Sequence, residues 1–431
     1  MKYFLIFLCL IFCHRLTSQH RPDSSISELT DPQLMFAQGQ DLSQAEKICD
    51  SIYRASGFAN TFMVVTPAGN VIIDTSMPEN AERHKRLLQA VNDGPVKYII
   101  LTHGHRDHRG GVSAWREEKT TVIAHRNFVE FRHYQERLAG FFTHRNNAQF
   151  DQRRKMGAPA GNYGAEIEAN LLVDDHYSFE LGGIQFDIHH TPGETYDHLS
   201  IWLPQFKVAF VGDNFYRSFP NLYTLRGTKP RWALDYVNSH NKILSWEPDI
   251  MIPSHGPSVH GKEEIQKQLK TYRDAVLYVH DHTVEGMNQG KDVHTLMQTI
   301  SLPDSLDVGA TYGMISWVVR GIYEGYAGWF DGNPSNMYPT QPSDIYPDLL
   351  EMAGGMEAIV DRAEHLLEAG ETQQALRMLD IGLDVFPEDK AGLTLKLRIF
   401  KQLESSTNNS NERGWLRYGI RETEKALKTN K

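Results

Sequence analysis

Cysteine is scarce in this sequence of 431 residues. Only three cysteines are present, and two of them, Cys9 and Cys13, lie within the first 19 residues. If that segment is removed, as argued below, Cys49 has no cysteine partner in the chain. The class of small secreted proteins held together by internal disulfides is then excluded. The folded chain must be stabilised by its hydrophobic core, by an oligomer or by bound metal.

Long apolar runs and an excess of positive charge are also missing. The formal net charge is −10, which does not favour binding to nucleic-acid phosphates. The N-terminal apolar run covers residues 3–12, about half of the roughly 20 residues that span a bilayer. No later apolar run approaches that length, so we predict neither a membrane span nor a nucleic-acid partner.

The N-terminal run has the layout of a secretory signal peptide. It follows Lys2 and precedes the polar residues 17–19. We therefore predict that residues 1–19 are a cleaved signal peptide, and that the protein is secreted or lies in the lumen of the secretory pathway. An uncleaved membrane anchor is the alternative.

The middle of the chain alternates short strands with helical patterns. Residues 62–76 read as two strands joined by a turn, and residues 96–103 as a buried strand. Residues 176–193 read as a hairpin that turns at Gly182-Gly183, and residues 250–255 as a last short strand. This alternation predicts a layered α/β domain over residues 49–262.

After residue 262 the strand patterns end. Residues 263–300, 308–330 and 347–427 carry helical periodicity, which predicts an all-α domain over residues 263–431. Part of it resembles one tetratricopeptide-like unit, with Gly370 at a helix end and Pro387 before the next helix.

Residues 102–108, THGHRDH, bring three histidines and one aspartate directly after a buried strand. In extended backbone the side chains of His103 and His105 point to the same side, whereas Asp107 and His108 turn toward a second position. Imidazole and carboxylate ligands suit zinc, and iron or manganese would also accept them. A solvated polar loop is the alternative. The stretch predicts a site for two adjacent metal ions.

Later strands end in residues that could complete this site. His198 opens the strand HLSIWLP, Asp213 ends KVAFVGD and His255 ends IMIPSH. Asp74 ends VIIDTS, and we predict that it orients the histidine loop through hydrogen bonds without contacting metal.

This set of residues resembles the metallo-β-lactamase superfamily over about residues 49–260. The resemblance implies a four-layer αββα sandwich and two zinc ions, between which a hydroxide acts as nucleophile. It assigns His103, His105 and His198 to the first metal, and Asp107, His108 and His255 to the second. Asp213 would bridge the two ions, and Asp107 is also the predicted catalytic residue.

Four further segments resemble the alkylsulfatase branch of that superfamily. They are NLYTLRG (221–227), residues 272–290, residues 312–339 and GWLRYGIRETEKAL (414–427). The branch carries an all-α dimerisation domain, so the resemblance implies a homodimer that hydrolyses a small-molecule sulfate ester with an alkyl chain. Asn221 and Arg226 match its sulfate-contacting pair, and an arginine fork suits sulfate oxygens.

The sequence also departs from that branch. The branch commonly has glutamates where this chain has His198 and Asp213, and a histidine where it has Trp317. We expect no counterpart of its sterol-carrier-like C-terminal domain, because the resemblance ends at residue 427. Two other functions therefore stay open. One is a related hydrolase of lactones, thioesters or phosphodiesters, and the other is a metal-binding interaction protein.

Overall fold

The computed structural model describes residues 41–150 and 169–429. Its N-terminal part contains two β-sheets. The first sheet has seven strands in chain order: β1 (Glu46–Cys49), β2 (Ile52–Ala55), β3 (Thr61–Thr66), β4 (Gly69–Ile73), β5 (Val96–Ile100), β6 (Thr121–His125) and β7 (Leu171–Val173). Strands β1 to β4 are antiparallel, and β4 to β7 are parallel.

The second sheet has six strands in the order β13-β12-β11-β10-β9-β8. These are β8 (His176–Leu181), β9 (Ile184–His190), β10 (Leu199–Leu203), β11 (Val208–Gly212), β12 (Ile250–Pro253) and β13 (Val259–His260). Only β11 and β12 pair in parallel among them, so these two strands end at the same edge of the sheet.

The helices of the described residues follow in chain order. They are α1 (Pro78–Gln89), α2 (Arg106–Arg109), α3 (Val112–Trp115), α4 (Phe128–Arg137), α5 (Ala139–Gln149), α6 (Ala233–Ser245), α7 (Lys262–Asn288), α8 (Val293–Thr299), α9 (Ile315–Ala327), α10 (Tyr346–Ala353), α11 (Met356–Glu368), α12 (Thr372–Val385), α13 (Lys390–Ser406) and α14 (Ser410–Thr429). Over the described part of the chain, none of them is long and apolar enough to cross a membrane.

The two sheets pack face to face and are covered by helices on both outer sides. Phe62 of β3 and Phe210 of β11 meet in the core between the sheets, with ring centroids 5.4 Å apart. Leu88 of α1 lies in the core outside the first sheet, and Tyr236 of α6 lies in the core outside the second. This is the predicted αββα order of layers.

The described residues after β13 form helices and connecting loops with no strand, which confirms the predicted all-α region. Helix α11 packs on α12, and α13 packs on α14. Gly370 has a φ of +83° at the end of α11, a conformation that favours glycine. The tetratricopeptide-like description stays a prediction, as do the domain boundaries.

The predicted hairpin at Gly182-Gly183 is confirmed, since β8 and β9 pair there and both glycines have positive φ. Strands β1, β2, β6 and β7 were not predicted, and neither were α4 and α5. The predicted signal peptide, residues 1–19, lies outside the described residues.

Candidate metal centre and its cavity

Parallel strand ends bring the predicted ligands together. β4 and β5 end side by side in the first sheet, and β11 and β12 do so in the second. Two main-chain hydrogen bonds join these edges, from the Leu199 amide to the Thr102 carbonyl and from the Asn60 amide to the Ser254 carbonyl. The loop of His103 and His105 therefore faces the ends of β11 and β12.

The predicted second site is compact. The Asp107 Oδ2 atom lies 3.4 Å from His108 Nε2 and 3.5 Å from His255 Nε2. Asp213 Oδ2 lies 3.3 Å from each of the same two nitrogens. Asp107, His108 and His255 form one of the groups of ligand atoms that could hold a metal ion.

At the first metal site, the structure brings together different residues from those predicted. His103 Nε2 lies 2.8 Å from His105 Nδ1, and His103 Nε2 lies 3.8 Å from Asp213 Oδ2. The acidic side chain next to them is Glu194, whose Oε1 atom lies 3.8 Å from His105 Nδ1. His105, Glu194 and Asp213 form a second group able to hold a metal, and His103, His108 and Asp213 form a third.

His198 takes another role. Its Nε2 atom accepts a hydrogen bond from the Asp213 amide at 3.1 Å, and its Nδ1 atom lies 3.2 Å from Thr191 Oγ1 and Asn214 Nδ2. Both ring nitrogens therefore already have partners, and the ring stacks beside His103 with centroids 5.3 Å apart. This geometry corrects the prediction that His198 binds the first ion. It supports the backbone of Asp213 instead.

Asp74 is placed as predicted, behind the ligands. Its carboxylate accepts hydrogen bonds from the amide and the hydroxyl of Thr102, both at 2.8 Å. Oδ2 also accepts from Ser254 Oγ at 2.8 Å and lies 2.9 Å from His108 Nδ1. Because His108 Nδ1 faces this carboxylate, its Nε2 atom is left for the cluster.

Within the described part of the chain, two buried polar atoms of the ligand cluster lack hydrogen-bond partners, as expected for atoms that bind a cation. His108 Nε2 and Asp213 Oδ1 are buried, and neither has a hydrogen-bond partner among the described residues. Buried polar atoms of this kind are costly unless something pairs with them. The donor set of imidazoles and carboxylates is the one that zinc and similar metals accept. These residues form a metal-binding site.

The electrostatics of the cluster also favour a cation. Burial lowers the pKa of His103 and of His105 well below its ordinary value, so both rings are neutral and able to donate a lone pair. Burial opposes charge on Asp213, but His108 and His255 outweigh it and hold the pKa of Asp213 well below its usual range. Asp213 therefore carries a negative charge.

Glu194 is held by partners of its own. Arg231 Nη1 lies 2.5 Å from Glu194 Oε1, and the Tyr236 hydroxyl donates to Oε2 at 3.0 Å. Burial raises the pKa of Glu194 to about 7, although Arg231 opposes this. Glu194 lies four residues before His198 in the loop TPGETYD, and it was not predicted as a ligand. A carboxylate in the same short loop as a predicted ligand was the sequence signal that could have identified it.

A cavity of about 400 Å³ opens onto the metal-binding site. Helix α5 and the residue after it supply part of its wall, with Phe142 and Phe150. Its aromatic lining is Phe58, Phe142, Phe150, Tyr216 and Tyr312. Trp329 is 77% exposed and is not among the lining residues.

The structure separates the predicted substrate-contacting pair. Arg226 lines the cavity, and its Nη2 atom lies 3.3 Å from His105 Nε2. Its Nε atom is buried without a hydrogen-bond partner among the described residues. Asn221 is buried and is not among the lining residues. Its amide donates to the Tyr216 hydroxyl, and its carbonyl accepts from Arg231.

Comparisons with known proteins agree with this architecture. The sequence model of the metallo-β-lactamase superfamily matches residues 55–282, and that of the alkyl sulfatase dimerisation domain matches residues 292–426. The chain is 30% identical over 393 residues to a linear primary-alkylsulfatase of Pseudomonas sp. (strain ATCC 19151), covering 85% of this chain and 74% of that protein.

Two further relatives are more distant. The chain is 25% identical to an (R)-specific secondary-alkylsulfatase of Pseudomonas sp., over 90% of this chain and 64% of that protein. The solved structure of a stereoselective inverting sec-alkylsulfatase from Pseudomonas sp. superposes with a TM-score of 0.81 at 23% identity, over 90% of this chain and 66% of that one. This last likeness shows the fold. The chain belongs to the metallo-β-lactamase superfamily, and an alkyl sulfatase dimerisation domain follows its αββα domain.

Proposed function

We propose that this protein is a metal-dependent hydrolase of alkyl sulfate esters. One observation carries the proposal: a single cavity contains the metal-ligand groups, the guanidinium of Arg226 and an aromatic wall. Sulfate esters need all three, since they combine an anionic head with an apolar tail. The relatives named as alkylsulfatases point to the same substrate class.

We assign the metal centre to two zinc ions, with iron or manganese as alternatives. His103, His105 and Glu194 would hold the first ion, and Asp107, His108 and His255 the second, with Asp213 between them. Bound metal of this kind lowers the pKa of a coordinated water from 15.7 to about 7 and so supplies the nucleophile. Asp107 faces the cavity, and in this proposal its role is that of a ligand.

The chain's own residues bind and orient the ester. The guanidinium of Arg226 offers parallel N–H donors to the sulfate oxygens. Phe142 and Phe150 bury apolar surface of the alkyl chain and exclude water from the site. Glu194 is fixed by Arg231 and Tyr236, so the first ion would be held in a constant position.

Hydrolysis of a lactone, a thioester or a phosphodiester could use the same metal ligands, but none of these substrates carries a sulfate group. A lactone or a thioester carries no fixed negative charge at the reacting group, so it leaves Arg226 without a partner. A phosphodiester does carry one, and it is the strongest competitor. An interaction protein needs neither an open cavity nor ligands of two metal sites at its base.

The test compares four substrates on purified, zinc-loaded protein: dodecyl sulfate, a lactone, a thioester and a phosphodiester. Arg226→Ala removes one partner of a buried charge pair, which costs about 2–5 kcal/mol, or roughly 30- to 5,000-fold in kcat/KM on dodecyl sulfate. Arg226→Lys is the matched control, because it keeps the charge without the fork. Metal content should not change in either variant. Equal losses on dodecyl sulfate and on the lactone would show that Arg226 is structural and that the proposal is wrong.

We also propose that the protein is a homodimer. The matched dimerisation domain contains a group of exposed large apolar side chains, here called the apolar arm: Tyr326, Trp329, Phe330, Met337, Tyr338, Ile345 and Met352. Exposed apolar patches of this kind commonly mark interaction surfaces, and the dimerisation domain makes a second copy of the chain the occupant. Secretion by a signal peptide stays a prediction.

A further inference from the structure

Helix α14 belongs to the dimerisation region in sequence, yet it packs on α5, the helix that lines the cavity. The contact is close at Gly414, in the segment GWLRYG. A Cβ atom built on Gly414 would overlap the main-chain carbonyl oxygen of Gln149, the last residue of α5. Because every other residue has a Cβ, only glycine allows this approach without a shift of one helix.

Gln149 connects this contact to the substrate-binding loop. Its side chain is 1% exposed, and its Oε1 atom accepts the main-chain amide of Arg226 at 2.7 Å. Its Nε2 atom donates to the Thr224 hydroxyl at 3.0 Å. One buried amide group therefore fixes two positions of the loop NLYTLRG, including the backbone from which the Arg226 guanidinium reaches the cavity.

Arg145, one turn earlier on α5, makes a parallel connection. Its Nη2 atom donates to the Leu225 carbonyl at 2.6 Å, and its guanidinium lies 5.5 Å from the ring centroid of Trp415 on α14. A guanidinium over an indole face is attracted by the ring. Arg145 and Trp415 thus connect α14 to the backbone just before Arg226.

The first turn of α14 holds a second part of the cavity wall. The Asn409 Nδ2 atom donates to the carbonyls of Ala310 and Tyr312, at 2.7 and 3.1 Å, and Asn411 Nδ2 donates to the Tyr312 carbonyl at 2.9 Å. The Ser410 amide donates to the Thr311 carbonyl at 2.8 Å. Tyr312 itself lines the cavity.

We propose that α14 is part of the substrate-binding framework, and that Gln149 and Gly414 are positioning residues for Arg226. This inference rests on the proposed function, in which Arg226 binds the sulfate. In this arrangement the contact with α14 fixes the position of α5. The hydrogen bond between Gln149 and the Arg226 amide then fixes the Arg226 backbone, so that the guanidinium can bind the anion next to the metal site. A purely structural contact would stabilise the fold without affecting the affinity for the anion.

The test compares two glycines of the same helix. Gly414→Ala should raise KM for dodecyl sulfate by roughly tenfold with little change in metal content, the size expected for one displaced hydrogen bond. Gly419→Ala is the matched control. It makes the same change in α14, but the atoms nearest to its Cβ belong to the side-chain ring of Phe400 on α13, the closest at 2.9 Å. Any shift should therefore fall on α13 and not on α5, and KM should stay near the wild-type value.

Two variants at Gln149 keep the test independent of the folding of Gly414→Ala. Gln149→Leu removes the acceptor of the Arg226 amide and should raise KM as Gly414→Ala does. Gln149→Glu keeps an acceptor oxygen and should restore much of the affinity. In an Arg226→Ala background, neither Gly414→Ala nor Gln149→Leu should raise KM further, since both act through Arg226.

The outcomes separate this inference from the proposed function. If the wild type neither hydrolyses dodecyl sulfate nor binds octyl sulfonate in calorimetry, the proposed function is wrong and the inference falls with it. If the wild type is active and Arg226→Ala is impaired, but Gly414→Ala and Gln149→Leu both match Gly419→Ala, the inference alone is overturned. Additive losses in the Arg226→Ala background would also overturn it.

Discussion

Asp74 should control metal affinity without contacting metal. Its carboxylate accepts two hydrogen bonds from Thr102 and one from Ser254, and it faces His108 Nδ1 at 2.9 Å. Asp74→Asn keeps the size of the side chain and suits the backbone, because the residue has a φ of +53° and asparagine tolerates that region. The substitution replaces one acceptor oxygen by an NH₂ group, so at least one N–H donor loses its acceptor.

The expected loss can be estimated from that count. A buried donor left without an acceptor costs about 1–3 kcal/mol, or roughly 5- to 150-fold in an equilibrium constant. Substitutions of groups that orient metal ligands typically reduce metal affinity by about 10- to 100-fold, which is the same range. We therefore expect Asp74→Asn to weaken metal binding by about 10- to 100-fold.

The assay is a zinc titration against a series of chelators of graded strength, followed by elemental analysis. Asp292→Asn is the matched control, since Asp292 accepts hydrogen bonds from the His294 and Thr295 amides at the exposed start of α8. The control should bind zinc as the wild type does. Wild-type zinc affinity in a folded Asp74→Asn protein would refute the reasoning that Asp74 orients His108 toward the metal.

Three other predictions follow from the structure. Burial lowers the pKa of His84 from 6.5 to about 4, so the unfolded chain binds more protons between these values. The contribution of His84 to the free energy of unfolding should fall by ~3 kcal/mol as pH drops from about 6.5 to about 4. His84→Gln should therefore reduce the fall in Tm over this pH range. Trp329→Glu with Met352→Glu, in the apolar arm, should shift the mass in light scattering toward the monomer, and an unchanged dimer would exclude this surface. Each buried methylene contributes about 0.8 kcal/mol, or roughly fourfold, so kcat/KM should rise with alkyl chain length until the cavity is filled. Phe150→Ser should flatten that rise and Phe150→Leu should not; equal slopes in the two variants would show that the alkyl chain binds elsewhere.

The metal-binding groups were the most predictable part of the molecule. Residues 102–108 follow a buried strand, and Asp213 and His255 follow two others. Parallel strands that end at one edge of a sheet bring the residues after them close together. Polar residues directly after such strands can therefore be assigned to one common site. The hairpin and several of the buried strands were also predictable, from local periodicity and turn glycines.

The choice between Glu194 and His198 could not be made from sequence. Both lie in one loop between β9 and β10, and spacing alone does not tell which side chain reaches the cluster. The structure decides through partners that are distant in sequence, since Arg231 and Tyr236 hold Glu194 and the Asp213 amide holds His198. The resemblance assigned His198 to the first ion, whereas the geometry of the structure favours Glu194.

The cavity wall was unpredictable for a related reason. Helix α4 carries a moderate amphipathic pattern and α5 a weak one, so the sequence does not show that Phe142 lines a cavity. Strands such as β1 and β2 are four residues long with mixed composition, too short for periodicity to be informative. These features depend on packing between distant segments.

The two parts of the site depend on different regions of the chain. Every proposed metal ligand lies at an edge of the two sheets, before residue 260. Arg226 also lies there, but the groups that fix its backbone, Gln149 and Arg145, rest on Gly414 and Trp415 of the last helix. We therefore expect metal binding to depend mainly on the αββα domain, and the proposed anion binding to depend on the helical domain as well. We expect substitutions at the sheet edges to reduce metal content. Substitutions along α14 that displace α5 should raise KM while the metal is retained.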